Sequence, residues 1–295
     1  MTSEEFLKEA LQYEACPDNF REIYEKFQSF QRATLSTLLE FHRVCELHHV
    51  EYQLTYGSLL GVIRDGGQVP WDYDIDVIVP YEEKQHLIEV LEKDLDRRFY
   101  FYCPDRNKKC RHMIMRLAPV EYRTEALHVD VFFLVGSPED AAARKLYAKR
   151  IKEIAHKRYG KLVNIREEAT GDLRRYLSLL RRKKLPALFV RLDKIQREYE
   201  ALCLQYSSKA SSYCISADSY ADWREYPTHM LWETKLIEAD FGEIRIPVHY
   251  DALLKLFYGD YQMVPPIEKR IREVLYNYRR ITLYQNKTRK EQMRP

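Results

Sequence analysis

The spacing of apolar side chains divides the chain into a mixed first half, a helical middle part and a mixed end. From Asp18 to about His49, apolar residues recur at every third or fourth position, which is typical of an amphipathic helix. Asp18 has a side chain suited to cap the start of this helix. The same apolar spacing predicts further helices at residues 82–95, 141–159, 173–207 and 250–258. Pro186 should break or kink the helix predicted at 173–207.

Short runs of apolar, β-branched and aromatic residues predict strands between these helices. The predicted strands are residues 52–56, 75–79, 113–117, 127–134 and 236–248. This mixture indicates an α+β fold, with a mixed β-sheet core flanked by helices and a helical insertion. We predict three regions: a core with an N-terminal helix at 1–138, a helical, basic segment at 139–225, and a C-terminal segment at 226–295 that packs back on the core.

Composition excludes some classes of protein. The chain has 295 residues, 45% of them hydrophobic, which is enough for a sizeable core, and a net charge of +3 gives no reason to expect nucleic acid as a partner. The six cysteines lack the paired spacing of zinc sites, so we expect free thiols. Because no secretory leader and no membrane-spanning run is recognisable, we predict a cytoplasmic protein that at most touches the inner face of a membrane.

Two aspartates in a predicted strand are the most informative feature of the chain. Asp74 and Asp76 lie two residues apart, so they point to the same face of the strand, while Ile75 and Val77 point to the core. Two carboxylates held this close are unfavourable unless a cation neutralises them. Carboxylate oxygens suit Mg²⁺ or Mn²⁺, which take one or two such ligands and fill the remaining positions with water and phosphate.

A glycine turn and a third aspartate strengthen this interpretation. Gly57 lets the backbone approach a phosphate, and the Ser58 hydroxyl with the N–H groups after it can bind phosphate oxygens. Asp130 lies in an apolar strand, where it is placed to complete a metal site or to accept a proton. An isolated Asp-x-Asp also occurs in turns and calcium loops. Asp72 is either a further ligand or the cap of a turn.

Two ordered stretches resemble the LicD family, which includes bacterial phosphocholine transferases and fukutin-type ribitol-phosphate transferases. The first runs from YGSLLG (residues 56–61) through VIR and VPW to the acidic cluster that ends at Asp76. The second begins at Tyr226, includes LFYGDY (residues 256–261) and ends at Arg270. The chain departs from the family pattern at Tyr73, which interrupts the acidic run.

This resemblance implies a nucleotidyltransferase-like fold, Mg²⁺ (or Mn²⁺), and a CDP-linked donor such as CDP-choline, from which CMP leaves. Carried onto this chain, it implies that Asp74, Asp76 and Asp130 are the catalytic and metal-binding carboxylates. Donor phosphates would be bound by Gly57, Ser58, Arg64, Lys269 and Arg270, since positive groups stabilise the charge on the departing nucleotide.

Two other features each have two interpretations. Residues 173–197 hold nine basic residues and a single acid, Asp193, together with many leucines. Such a segment either lies on an anionic membrane or forms a solvated, packed helix pair.

The chain is also rich in aromatic residues, with 23 tyrosines and three tryptophans, so a cage for a quaternary ammonium is chemically available. Candidates for such a cage, each of which is alternatively a packing residue, are Trp71, Tyr73, Trp223 and Trp232.

These features together predict a metal-dependent transferase. We expect it to move phosphocholine, or a related phospho-polyol or sugar phosphate, from a CDP-linked donor to a hydroxyl of a surface glycan. The acceptor would be a teichoic-acid or lipopolysaccharide precursor, either soluble or lipid-linked. One alternative is a nucleotidyltransferase that adds NMP from an NTP to a small molecule, protein or RNA. Another is a non-catalytic nucleotide-binding module.

Overall fold

A mixed sheet of seven strands forms the centre of the protein, which the computed structural model describes for residues 1–122, 127–169, 172–218 and 224–292. The strands are β1 (Gln53–Leu54), β2 (Ile75–Pro80), β3 (Phe99–Tyr102), β4 (Met115–Pro119), β5 (Val129–Gly136), β6 (Tyr213–Ser216) and β7 (Glu225–Pro227). A separate hairpin consists of β8 (Thr234–Ala239) and β9 (Gly242–Pro247).

Ten α-helices surround these strands in the described residues. They are α1 (Ser3–Gln12), α2 (Phe20–His48), α3 (Tyr56–Leu60), α4 (Lys84–Asp94), α5 (Ala141–Leu162), α6 (Ile165–Ala169), α7 (Leu173–Leu179), α8 (Leu192–Cys203), α9 (Tyr250–Tyr258) and α10 (Ile267–Gln292). None of the described helices combines the length and the apolar character that crossing a membrane requires.

The order of the strands is β1-β2-β5-β4-β3. β2 and β5 run parallel, and the other pairs in the sheet are antiparallel. β6 pairs with the last residues of β5, and β7 pairs with β6. The predicted α+β class with a mixed sheet is therefore confirmed. The division into three regions stays a prediction.

The parallel pair β2 and β5 fixes which side chains face the core. Val77 and Val131 are partners in the register and are fully buried in the main hydrophobic cluster, against α2, α4 and α5. Because side chains alternate along a strand, their neighbours Asp76 and Asp130 point to the opposite face. These two aspartates are also register partners, so they lie side by side on adjacent strands.

The predicted elements are present with local differences. The strand predicted at 236–248 is the hairpin of β8 and β9, and the strand predicted at 52–56 is reduced to β1 because α3 begins at Tyr56. α2 begins at Phe20, and Asn19 is its N-cap without a side-chain hydrogen bond, so the cap predicted for Asp18 is wrong. The helix predicted at 173–207 is broken near Pro186, as expected, because α7 ends before a π-helical turn at Leu180–Lys184 and α8 starts at Leu192. All six cysteines are free thiols.

Candidate active site

A cavity of about 380 Å³ opens on the face of the sheet to which Asp76 and Asp130 point. Its acidic wall is formed by Asp74, Asp76 and Asp130. Basic and aromatic side chains line the rest of it: Tyr73, Arg111, His112, Arg116, His128, Phe132, Arg280 and Tyr284. The aspartates predicted from the sequence therefore share one cavity, which we call the carboxylate cavity.

Helix α2 holds the acidic segment that precedes β2. The Gln31 amide donates a hydrogen bond of 2.6 Å to the carbonyl of Asp72, and the Thr34 hydroxyl donates one of 2.8 Å to the carbonyl of Tyr73. Gln31 and Thr34 are buried polar residues in an otherwise apolar helix face. Because buried polar groups require partners, these bonds fix the backbone from which Asp72 and Asp74 project.

Burial, followed by the crowding of negative charge, raises the pKa values of Asp74 and Asp76. Burial and the neighbouring Asp72 raise the pKa of Asp74 well above its ordinary value. Burial, then Asp74 and Asp130, raise the pKa of Asp76 in the same direction. Asp72 has a raised pKa because of burial, and its side chain is hydrogen-bonded to that of Asp74. Since two carboxyls can share a hydrogen bond only through a proton, the group is short of positive charge.

Asp130 has a different environment. Its carboxylate accepts a hydrogen bond of 2.6 Å from Arg116 on β4, and the Nε2 atom of His128 lies 3.3 Å from the same oxygen. Although burial acts against ionisation, these two partners lower the pKa of Asp130 below its ordinary value. A carboxylate with a lowered pKa is a weak proton acceptor, so the structure disfavours the role of general base predicted for Asp130.

The donor atoms fit a hard cation that takes two protein ligands. No three His, Cys, Asp or Glu side chains of the described chain are arranged to hold a metal ion together. The predicted ligand set of Asp74, Asp76 and Asp130 is thus not preformed, because Asp130 is held by Arg116. Asp74 and Asp76 present crowded oxygen atoms in an open cavity, and Mg²⁺ is commonly bound by one or two carboxylates with water and substrate phosphate. Metal binding itself stays a prediction.

Gly57 and Ser58, predicted as a turn before a helix, lie in the first turn of α3, directly beside these carboxylates. A methyl group on Gly57 would lie 3.0 Å from a carboxylate oxygen of Asp72. The buried Ser58 oxygen accepts a hydrogen bond of 2.8 Å from the backbone N–H of Asp76. The serine therefore ties the turn to β2, and its own hydroxyl proton stays available to a phosphate oxygen.

Comparison with known proteins agrees with this geometry. Residues 49–165, which contain the glycine turn and all four aspartates, match the family model described as the LicD/FKTN/FKRP nucleotidyltransferase domain. The chain is also 24% identical over 261 residues to the lipopolysaccharide cholinephosphotransferase LicD of Haemophilus influenzae. That match covers 81% of this chain and 92% of the relative.

The chain carries a LicD-family domain. The resemblance predicted from the sequence is thereby confirmed.

The cations expected to bind donor phosphates lie away from the carboxylate cavity of the LicD domain. Arg64 is bonded to Asp65 at 2.7 Å and packs over Trp71. Arg270 is buried, bonded to Glu9 and also packed over Trp71, and Lys269 is exposed. None of these three basic residues is among the residues that line the cavity in the described chain. Their predicted contact with the diphosphate is therefore not supported, because Arg64 and Arg270 are engaged in packing.

The residues proposed for an ammonium cage do not converge. Trp71 and Tyr73 are buried in the cluster formed with α1 and α2, although Tyr73 also borders the carboxylate cavity. Trp232 packs in another cluster and donates a hydrogen bond of 2.9 Å to the carbonyl of Ser208. Trp223 lies outside the described residues. A single cage built from these rings is thus not formed by the described residues.

Sequence reasoning missed the cations that do line the cavity. Arg116 interrupts the apolar strand β4, and it carries the same signal, a charge in an apolar strand, that identified Asp130. Arg280 reaches the cavity from α10 and donates a hydrogen bond to the Tyr73 hydroxyl. Whether Arg280 reaches the cavity depends on how α10 packs, and no local sequence pattern predicts that packing.

An aromatic group beside Asp76 was missed as well. The ring of Tyr56 contacts those of Phe132 and Phe257, at centroid distances of 5.9 and 5.1 Å. The Arg224 guanidinium lies 5.8 Å from the centre of the Tyr56 ring and 5.4 Å from that of Phe257. Burial raises the pKa of Tyr56 to about 12, and the nearby Asp76 contributes to the shift. These rings therefore lie next to the carboxylates.

Proposed function

We propose that the chain transfers phosphocholine from a CDP-linked donor, CDP-choline in the first instance, to a hydroxyl of a glycan. The observation that carries this proposal is the carboxylate cavity, in which crowded aspartates face three arginines. The nature of the transferred group is supported by the match to a protein named as a cholinephosphotransferase, over 92% of its length. The glycan acceptor is proposed from the lipopolysaccharide in that protein's name.

In the proposed reaction, the acceptor oxygen attacks the phosphorus distal to cytidine. A new P–O bond forms, the bond to the CMP phosphate breaks, and the acceptor proton passes to solvent. Asp74 and Asp76 would hold a divalent ion, and such an ion would supply Lewis-acid stabilisation of the charge on the diphosphate. Arg111 and Arg116 line the same cavity and are placed to bind phosphate oxygens as negative charge moves to the leaving group.

Asp130 then has a positioning role. Its carboxylate accepts a hydrogen bond of 2.6 Å from Arg116 on the neighbouring strand β4, and this bond fixes the guanidinium. A charge held in place before the reaction stabilises the transition state without the cost of reorganisation. We therefore assign Asp130 to the orientation of Arg116 in place of proton removal.

Choline, in preference to an uncharged polyol, is favoured by the aromatic group beside Asp76. The Arg224 guanidinium lies 5.8 Å from the centre of the Tyr56 ring and 5.4 Å from that of Phe257, and this proximity supports a cation-binding role for the rings. A quaternary ammonium has the same requirement for an electron-rich face. In this proposal, the choline end of the donor packs against these rings.

The test is release of CMP. Purified protein with Mg²⁺, CDP-choline and a lipopolysaccharide or teichoic-acid precursor should release CMP and label the glycan with choline. The Asp74→Asn variant should be at least about a thousandfold slower, since it removes the ion that bears the developing charge. Asp18→Asn, a matched change at an exposed position, should be as active as the unaltered protein.

Absence of CMP release from CDP-choline, CDP-ribitol and CDP-glycerol with all these acceptors would refute the proposal. One further candidate follows from the family description, which names a nucleotidyltransferase domain. Release of pyrophosphate from an NTP would select that reaction. Nucleotide binding without turnover would select the non-catalytic module.

We also propose that residues 173–197 contact an anionic membrane surface. In the structure, several large apolar side chains of this segment are exposed, and Phe189 is the extreme case at 93%. Leu188 next to it is 52% exposed, and Leu185 is 54% exposed. Exposed apolar side chains among nine basic residues are typical of a surface that inserts between lipid headgroups. Such contact would bring the enzyme to a lipid-linked acceptor.

A further inference from the structure

A second cavity lies beside the carboxylate cavity. It has a volume of about 460 Å³, and its walls are α5 and the turn that follows α7. The imidazole of His112 lines both cavities, so the two spaces are neighbours with one side chain in common. We call the second space the basic cavity.

The charges around the basic cavity are mainly positive. Lys157, Arg182 and Lys183 line it, against a single acid, Glu153, among its described residues. Lys183 is bonded to Glu168 at 2.6 Å. Lys157 and Arg182 have no carboxylate within ion-pair distance in the described part of the chain. Two cations therefore face the cavity outside any ion pair of the described residues, with Glu153 as the one acid among the described lining residues.

The walls of this cavity are held together by close packing. A methyl group on Gly160 would lie 2.4 Å from the carbonyl oxygen of Lys183, so α5 and the turn touch at that point. The Lys184 ammonium donates hydrogen bonds to the carbonyls of Lys161 and Val163, at 2.8 and 3.1 Å. Since these contacts fix the backbone that carries Lys157 and Arg182, the two cations are positioned by the fold.

The side nearest the carboxylate cavity is formed by an uncharged imidazole, because burial lowers the pKa of His112 to about 3. His112 is buried, and its ring packs against that of Tyr159 at a centroid distance of 5.2 Å. Arg111 and Arg116 lie on its other side in the carboxylate cavity. Because three aspartates share that cavity and Arg116 is bonded to Asp130, the attraction for an anion comes from Lys157 and Arg182 in the basic cavity.

We infer that the basic cavity binds a phosphate group carried by the acceptor. This inference rests on the proposed transfer reaction. The donor diphosphate needs the aspartates and arginines of the carboxylate cavity, so the acceptor must approach from an adjoining space. The adjoining space selects for negative charge, and Lys157 and Arg182 are the residues that bind it. A sugar phosphate or phosphodiester-linked glycan, free or attached to lipid, has the required chemistry.

Direct binding tests this without turnover. Inorganic pyrophosphate is titrated calorimetrically into the full chain in the absence of divalent ions. The double variant Lys157→Gln/Arg182→Gln should bind it at least about tenfold more weakly, because charge-assisted hydrogen bonds are lost. The matched control is Lys8→Gln/Arg21→Gln, at exposed positions of α1 and α2 outside the cavity and outside residues 173–197, and it should bind within about twofold of the unaltered protein.

Kinetics give the second readout. The double variant should raise the KM for a phosphorylated sugar acceptor at least about tenfold, with little change in kcat or in the KM for CDP-choline. The KM for a neutral sugar acceptor should stay unchanged, and water-soluble and lipid-linked phosphates should be affected alike if the phosphate alone is bound.

Three results would overturn the inference: no pyrophosphate binding by the unaltered protein, equal binding by the double variant, or a raised KM for CDP-choline alone. The last would place the donor in the basic cavity. If the chain releases no CMP with any donor, the proposed transfer fails while the binding comparison still decides whether the cavity is an anion site.

Discussion

The four aspartates on or beside β2 and β5 differ in the direction in which their pKa values are shifted. The pKa of Asp130 is lowered by His128 and Arg116, whereas burial and neighbouring acids raise the pKa values of Asp74 and Asp76. The difference arises because Arg116 reaches Asp130 from β4. Asp74 and Asp76 are consequently the groups whose charge a divalent ion would relieve.

Replacing Asp76 by asparagine should therefore change both stability and metal response. Without metal, Asp76→Asn should melt at the same temperature as the unaltered protein or slightly above it, because one of several crowded charges is removed. Mg²⁺ should raise the melting temperature of the unaltered protein and leave that of the variant unchanged. Thermal denaturation with and without Mg²⁺ measures both effects.

The exposed Asp18→Asn variant is again the control, and it should respond to Mg²⁺ like the unaltered protein. An equal rise of melting temperature in Asp76→Asn would contradict the assignment of the metal ligand.

At this scale, the sequence predicted the carboxylates better than the cations. Asp76 lies on β2, Asp74 directly precedes that strand, and Asp130 lies on β5. The alternation of side chains along a strand was sufficient to predict that they share one face. Arg64 was expected to bind donor phosphate because of the family resemblance, but its guanidinium packs on Trp71. Which basic side chain faces a cavity depends on tertiary packing, which the local spacing of residues does not reveal.

Among the elements, the segment between α3 and β2 depends on one close backbone approach. A methyl group on Gly61 would lie 2.5 Å from the carbonyl oxygen of Gly67 and 2.8 Å from the amide nitrogen of Val69. Both are backbone atoms, which cannot rotate out of the way as a side chain can. The glycine therefore fixes the path of the loop that leads to Asp72 and Asp74.

Gly61→Ala should consequently destabilise the protein by about 1–3 kcal/mol, because the loop must move. Gly57→Ala is a useful comparison, since its methyl group would meet only the Asp72 carboxylate, at 3.0 Å. That variant should keep nearly full stability and alter metal binding instead. Urea denaturation and Mg²⁺ titration of both variants separate these effects, and equal stability loss in the two would contradict this account.

Elements with regular apolar spacing were predicted well, whereas very short strands and a highly charged helix were not. α2 and the pair β2 and β5 follow from apolar spacing. β6 and β7 contain four and three residues, too few to show a period, and they become strands through pairing with β5 and with each other. The helix α10 was missed because its apolar positions are interrupted by many charges.

For the whole molecule, the exposed apolar side chains of residues 173–197 predict how the protein partitions between water and lipid. It should co-sediment with phosphatidylcholine vesicles that contain phosphatidylglycerol and bind poorly to vesicles without it. Leu188→Gln/Phe189→Gln should weaken this binding at least about tenfold, because two apolar side chains no longer enter the headgroup region.

The control is Leu47→Gln, at an exposed leucine of α2 that lies outside the segment. Equal loss of binding in the control, or full binding by the double variant, would favour the solvated helix pair instead. CMP release with a water-soluble acceptor should be unaffected in both, so a failed membrane contact does not count against the transferase.

The hydrogen bond between Arg116 and Asp130 matters during folding as well. Arg116 precedes Asp130 by fourteen residues on an adjoining strand, so the two arrive together when the sheet closes. The polypeptide thus brings an internal counter-ion for one of its acids. Asp130 is therefore neutralised as the sheet closes, without a bound metal ion.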